Sequence, residues 1–155
     1  MIRVQTEDFD VGAEAQALVC GNTNVGGVVT FTGLVRDMAG GESISAMTLE
    51  HYPEMTERML ARIEAEANER WPLEASLIIH RYGRLEPGDQ IVLVITASSH
   101  RQAAFEAAEF LMDWLKTKAP FWKQEATVQG DQWVAARGAD DAAAERWIEE
   151  NQAKV

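Results

Sequence analysis

Two apolar runs joined by a four-residue turn do most to limit what this chain can become. Leu77–Tyr82 and Gln90–Ala97 flank Glu86-Pro87-Gly88-Asp89, where proline presets one turn torsion and glycine tolerates the next. The pair is expected to form a hairpin. Ile2–Gln5 reads as a first strand, and Val11–Val19 as a helix that stops near Gly21. Gly26-Gly27 opens Val28–Thr32, a β-branched and aromatic run that reads as a buried strand. A polar, glycine-rich loop from Arg36 to Glu42 then leads to a strand over Ile44–His51. Pro53 suits the first turn of a helix, and Met55, Met59, Ile63 and Ala67 repeat at helical spacing until Trp71-Pro72 stops it. Ser98 or Ser99 can cap a long helix to about Lys118, with Ala104, Ala107, Phe110, Leu111, Trp114 and Leu115 on its buried face. Beyond Ala119-Pro120 come a short strand over Phe121–Thr127, an extended piece over Gln132–Ala135 and an acidic helix from Asp140 to about Gln152. Strands arrive as hairpins between long helices and do not alternate strictly with them, so the fold class is α+β with mainly antiparallel sheet.

With 155 residues, 46% of them hydrophobic, the chain is expected to be one domain over residues 1–155 with a core that needs no staples. There is no internal repeat, low-complexity tract or linker. The single Cys20 has no internal partner, and no Cys/His cluster has zinc spacing, which points to a reducing compartment. The start lacks the basic and apolar regions of a signal peptide, and the longest apolar run, Ile91–Ile95, cannot span a bilayer. A soluble, cytoplasmic protein is expected. Its 14 basic and 25 acidic residues give a formal charge of −11, a field that repels nucleic acid and anionic membrane surfaces.

Against that field, a place where cations gather without acids is informative. Lys116-Thr-Lys-Ala-Pro-Phe-Trp-Lys123 holds three lysines and no carboxylate. Lys116 lies at the end of the long helix, and the turn at Ala119-Pro120 lets Lys123 fold back near it. Two amines sharing a site repel each other, which together with burial against Phe121 and Trp122 favours a neutral, nucleophilic amine. Alternatively both stay charged and bind a phosphate, or both simply complement the helix dipole in water. His100 and Arg101, in the first turn of the same helix, make a clamp for phosphate or another anion if they do not merely cap and solvate it. Sixteen residues separate His100 from Lys116, roughly 24 Å along a helix, so one small ligand reaches both ends only if the helix bends or a second copy contributes. Arg36 begins a loop where ligand contacts are common, although a solvated arginine reads equally well there. Core packing accounts for Phe31 and Met112, and Glu50 and His51 read as structural because neighbouring strand residues point to opposite faces. No P-loop, dinucleotide glycine pattern, Gly-x-Ser-x-Gly or His-Glu-x-x-His is present, so ATP, NAD and zinc chemistry have no support.

Val29-Thr-Phe-Thr-Gly-Leu-Val-Arg36, Thr48-Leu-Glu-His-Tyr-Pro53, Ser98-Ser-His-Arg101 and Leu115-Lys-Thr-Lys-Ala-Pro-Phe-Trp-Lys123 with Glu125 resemble, in this order, the large catalytic subunits of molybdopterin synthase. The similarity runs from about residue 26 to residue 137; the first twenty-five residues carry none. The resemblance implies an α/β hammerhead-type fold and a homodimer with a small ubiquitin-like sulfur-carrier subunit at each outer end, a heterotetramer. It implies a sulfurtransferase that converts cyclic pyranopterin monophosphate, precursor Z, to molybdopterin in molybdenum cofactor biosynthesis. Two sulfurs come in succession from the thiocarboxylate on the small subunit's Gly-Gly tail. Lys116 matches the family's essential lysine and Lys123 its second catalytic lysine. Arg36, His100 and Arg101 match anion-binding positions, some donated across the dimer. Leu34, Val35, Gln124, Glu125 and Arg137 fall at further substrate-binding positions. Gln124 stands where a basic residue is expected, so a side-chain salt link is missing there while a backbone contact survives. No metal or cofactor is implied at this step, since molybdenum insertion and ATP-dependent activation of the small subunit occur on other proteins. Two other readings are a non-catalytic scaffold that presents the tail to another enzyme, which leaves the pterin-binding cations without a role, and a regulatory domain that binds an anionic metabolite, which leaves the lysine pair unexplained.

Overall fold

The computed structural model describes residues 1–39, 42–127, 129–134 and 138–153, with backbone alone at 38, 39, 42 and 149–153. In chain order the elements are β1 (Ile2–Gln5), α1 (Val11–Val19), β2 (Gly27–Leu34), β3 (Met38–Ala39), β4 (Glu42–His51), α2 (Pro53–Arg70), β5 (Leu73–Arg81), β6 (Gly83–Leu85), β7 (Gln90–Ser98), α3 (Arg101–Thr117), β8 (Phe121–Thr127), β9 (Gly130–Val134) and α4 (Gly138–Ala153). The expected α+β class with mainly antiparallel sheet is what the chain adopts.

One sheet has the order β1-β5-β7-β2. Successive residues of a strand face opposite sides, and here both sides are covered. Leu77, Ile79, Leu93 and Ile95 pack with Phe9 beneath α1, whose first turn is capped by the Asp10 carboxylate accepting from the Ala13 N–H at 2.9 Å. Ile78, Val92 and Val94 meet Leu60, Phe110 and Leu111 from α2 and α3 on the other side. Burial on two faces explains why β5 and β7 read as unbroken apolar runs rather than as alternating ones. The buried Thr96 hydroxyl donates to the Ala104 carbonyl at 2.7 Å, tying α3 to β7. The second sheet has the order β3-β4-β8-β9, with β6 also paired to β4. Its inner face carries Met47, Leu49 and Leu85, which pack with Val35 from beyond the end of β2.

Several details depart from the sequence expectations. β5 and β7 pair antiparallel, yet they are not a direct hairpin, because β6 lies between them and pairs with β4. The turn at Glu86–Asp89 exists and leads from β6 into β7; the Asp89 carboxylate accepts from the Glu86 N–H at 2.8 Å, and Gly88 takes φ +94°. β1 runs parallel to β5. Neither Ser98 nor Ser99 caps α3: His100 is at the N-cap without a side-chain hydrogen bond, and the Ser98 hydroxyl donates instead to the Pro72 carbonyl at 2.8 Å. The expected loop over 36–42 includes β3, while Gly40 and Gly41 lie outside the described residues, as does Ala135. Among the described residues no helix is long and apolar enough to cross a membrane.

Gly26 seats β2 against the start of α3. Its N–H donates to the Ser98 carbonyl at 3.0 Å, and a Cβ there would lie 2.2 Å from the Ser99 carbonyl oxygen. The obstruction is backbone and cannot swing aside. Gly26→Ala is therefore expected to cost about 1–3 kcal/mol, as overpacking does; the urea midpoint measures it, and an unchanged midpoint would mean that the Ser98–Arg101 turn yields freely.

Candidate active site

The last turn of α3 and the first residues of β8 meet across a tight reversal. The Lys118 N–H bonds to the Trp114 carbonyl at 2.8 Å, closing the helix. Pro120 cannot continue it, and the Phe121 N–H returns to the Ala119 carbonyl at 2.8 Å. β8 then joins β4, and strand alternation turns Phe121, Lys123 and Glu125 to one side and Trp122 and Gln124 to the other. The first three line a cavity of about 670 Å³ lying between the two sheets and the end of α3. That volume falls within the range of about 300–1,000 Å³ usual for small-molecule sites.

Lys116 and Lys123 both line it. Each amine has its own carboxylate, which the acid-free segment did not foreshadow. Lys116 Nζ is 3.6 Å from Asp140 Oδ1. Asp140 arrives because α4 lies along α3, where the Trp147 indole N–H donates to the Asp113 carboxylate at 2.8 Å and Arg146 pairs with Asp113 and Glu109. Lys123 Nζ is 2.6 Å from Glu125 Oε1, out of line with the angles a hydrogen bond needs, so the contact is an ion pair. The repulsion expected between the two amines is thus accompanied by one carboxylate against each.

Arg36 and Leu34 also line the cavity, as do Phe31 and Met112. Phe31 is 42% exposed, so core packing does not account for it. Val35 is buried among Met47, Leu49 and Leu85, and only its backbone is engaged nearby, with Asp89 and Gly88. Gln124 turns its side chain to the far face of the sheet. His100 and Arg101 are exposed at the opposite end of α3 and do not reach this cavity. Arg137 lies outside the described residues.

The sequence reading missed two groups. Asp140 is one acid among several on the closing acidic helix, with nothing local to single it out. His80 lay inside an apolar strand, where a lone imidazole was the available signal. It lines the cavity and stacks on Phe121 with ring centroids 3.7 Å apart and planes 15° apart. Its Nδ1 is 2.9 Å from the Arg81 carbonyl oxygen; a carbonyl only accepts, so Nδ1 carries the proton and Nε2 is left as an acceptor. Burial holds its pKa down at about 4, with His51 pushing the same way and the Arg81 bond opposing. As pH falls the unfolded chain binds this proton first, so the stability from a neutral His80 is whole above about 6.5 and lost progressively down to about 4. The loss amounts to roughly 3 kcal/mol. His80→Gln should flatten that part of the stability profile between those limits, read from denaturant midpoints; an identical slope would show that other groups carry it.

A family model described as MoaE protein matches residues 4–118. The chain belongs to the MoaE family. A curated relative, the molybdopterin synthase catalytic subunit of Pseudomonas aeruginosa, is 56% identical over 148 residues, covering 96% of this chain and 99% of its own. The solved molybdopterin biosynthesis MoaE protein of Burkholderia ambifaria superposes with a TM-score of 0.81 at 54% identity, covering 95% of this chain and 97% of that one. The complex of subunits 1 and 2 of molybdopterin-converting factor from Helicobacter pylori, 18% identical with a TM-score of 0.73, covers 88% of this chain and 91% of its own and shares the fold. The match beginning at residue 4 overturns the expectation that the first twenty-five residues carry no family likeness: β1 and α1 belong to the MoaE fold as much as the lysine segment does.

Proposed function

We propose that this MoaE-family chain is the catalytic subunit of a molybdopterin synthase acting on cyclic pyranopterin monophosphate in the cytoplasm. One observation carries the reading within the family: two lysines from different elements, Lys116 and Lys123, line one cavity. Its mouth takes the thiocarboxylated Gly-Gly tail of a small ubiquitin-like subunit, and two tails in succession supply the two sulfurs. Negative charge shifts onto the acyl oxygen of the tail during transfer and onto the cyclic phosphate as it opens. Lys116, beside the tail's carbonyl, and Lys123 deeper in the wall oppose that charge, and fixed cations in a partly apolar wall do so without reorganising. Arg36 holds phosphate at the rim. Leu34, Phe31 and Met112 supply the apolar surface on which a pterin ring rests.

His100 and Arg101 serve the cavity of a second copy in a homodimer. Support comes from their exposure at the end of α3 away from Lys116, a separation of roughly 24 Å along the helix axis. Arg137 belongs with these anion-binding groups, and Gln124 contributes through its backbone alone.

The test is a mixture of this protein, thiocarboxylated small subunit and cyclic pyranopterin monophosphate, with molybdopterin read as its fluorescent oxidation product. Product is expected. A folded protein that binds the small subunit and forms none would place the pterin chemistry elsewhere and leave this chain as a scaffold.

A further inference from the structure

The sheet that walls the cavity has a second working face. There Glu50, His51, Tyr52, Trp122 and Trp133 line a separate hollow of about 250 Å³. Register explains the gathering: Glu50 lies opposite Trp122 across β4 and β8, and Gln124 lies opposite Trp133 across β8 and β9. The alternation that sends Lys123 inward sends these indoles outward. Tyr52 meets Trp122 edge-on, with centroids 4.7 Å apart and planes at 89°, so two ring faces form a corner. Tyr52, Trp122 and Trp133 stay 61%, 41% and 59% exposed. Such large rings are ordinarily far better covered, and grouped together they are the residues that anchor interfaces. Glu50 is exposed beside them, and among the described residues no cation pairs with it.

We propose that this cleft receives an arginine side chain presented by a protein partner. Indole and phenol faces attract a cation. A guanidinium is the cation that can lie flat on a ring and donate to a carboxylate at the same time, and the cleft offers both surfaces. The chain's formal charge of −11 favours a partner with exposed basic residues. A side chain fits better than a free amine because the walls are open: a small cation on exposed rings is held weakly, whereas one carried on a larger docked surface arrives at high local concentration. The inference does not rest on the sulfur-transfer reading, since none of these five residues lines the cavity.

The experiment titrates ¹⁵N-labelled full-length protein with N-acetyl-arginine amide and follows the indole N–H signals of its five tryptophans, assigned by Trp→Phe substitution. N-acetyl-citrulline amide, a neutral isostere, is the control, and tetramethylammonium represents a free amine. Saturable shifts confined to Trp122 and Trp133, absent with citrulline and weakened at least threefold by Glu50→Gln, are expected. Equal response to citrulline, unmoved Trp122 and Trp133, or undiminished binding by Glu50→Gln would each overturn the proposal. Tighter binding of tetramethylammonium would reassign the cleft to free quaternary amines. Protein-concentration-dependent shifts of the same two signals without any probe would reassign it to contact between copies of the chain.

Discussion

Lys116→Ala is expected to lower the initial rate of molybdopterin formation about 100-fold or more, the scale of losing one preorganised charge-stabilising group, while the protein melts within a few degrees of the wild type. The two halves of that expectation come from different features of one side chain. Lys116 is 54% exposed, and its only described ion pair is the 3.6 Å contact to Asp140. A pair that open to water contributes about 0–1 kcal/mol, so truncation leaves the fold almost untouched. Toward the cavity the same amine is a cation that alanine cannot replace. Initial rates with saturating thiocarboxylated small subunit, beside a thermal melt by circular dichroism, separate the two. A folded variant turning over at the wild-type rate would remove Lys116 from the catalytic assignment.

Lys123→Ala should behave differently, losing activity and about 3–5 kcal/mol of stability together. Glu125 is only 6% exposed, and among the described residues Lys123 is its one ion-pair partner. Removing the amine leaves a carboxylate in the wall with nothing to offset its lost hydration, the costly case for buried pairs. The loss should sit toward the lower end of that range, because Lys123 itself is 33% exposed and water reaches that side. Adding Glu125→Gln to Lys123→Ala removes the orphaned charge and should recover most of the stability without recovering the rate. Urea denaturation of the two variants and the wild type gives the comparison. A single variant as stable as the wild type would show that Glu125 is satisfied by other means.

Much of this was legible in the residues because local rules and tertiary structure agree. The α2 and α3 spans follow from apolar spacing and from Pro53, Pro72 and Pro120, and their observed ends fall within a residue or two of the expected ones. The lysine segment was legible because its lack of acids stood out against an acidic chain. What escaped the sequence depends on which strands pair. β6 is three residues long, too short to show a period, and its partner β4 lies more than thirty residues earlier. The parallel pairing of β1 with β5 leaves no turn signal to read. Asp140 and His80 became site residues through docking: α4 settling along α3 brings the first, and the stacking of Phe121 brings the second. The cap on α3 differs for a comparable reason: Ser98 ends β7, its hydroxyl donates to the Pro72 carbonyl, and its oxygen accepts from the His100 N–H at 3.3 Å, ahead of the first helical turn.

The order β1-β5-β7-β2 also bears on how the chain comes off the ribosome. Among the described residues, the two strands made first, β1 and β2, pair only with β5 and β7, which come more than fifty residues later in the chain. Neither can enter a ladder until that later pair exists, so the stretch from β1 through β2 waits as unpaired strand and short helix during synthesis. Contacts this distant in sequence slow folding, because loop closure comes before the reward. The β5–β7 pair is then the template on which the earlier strands are laid, one at each edge, and the cavity wall contributed by β2 has to wait for β7 before it can be placed.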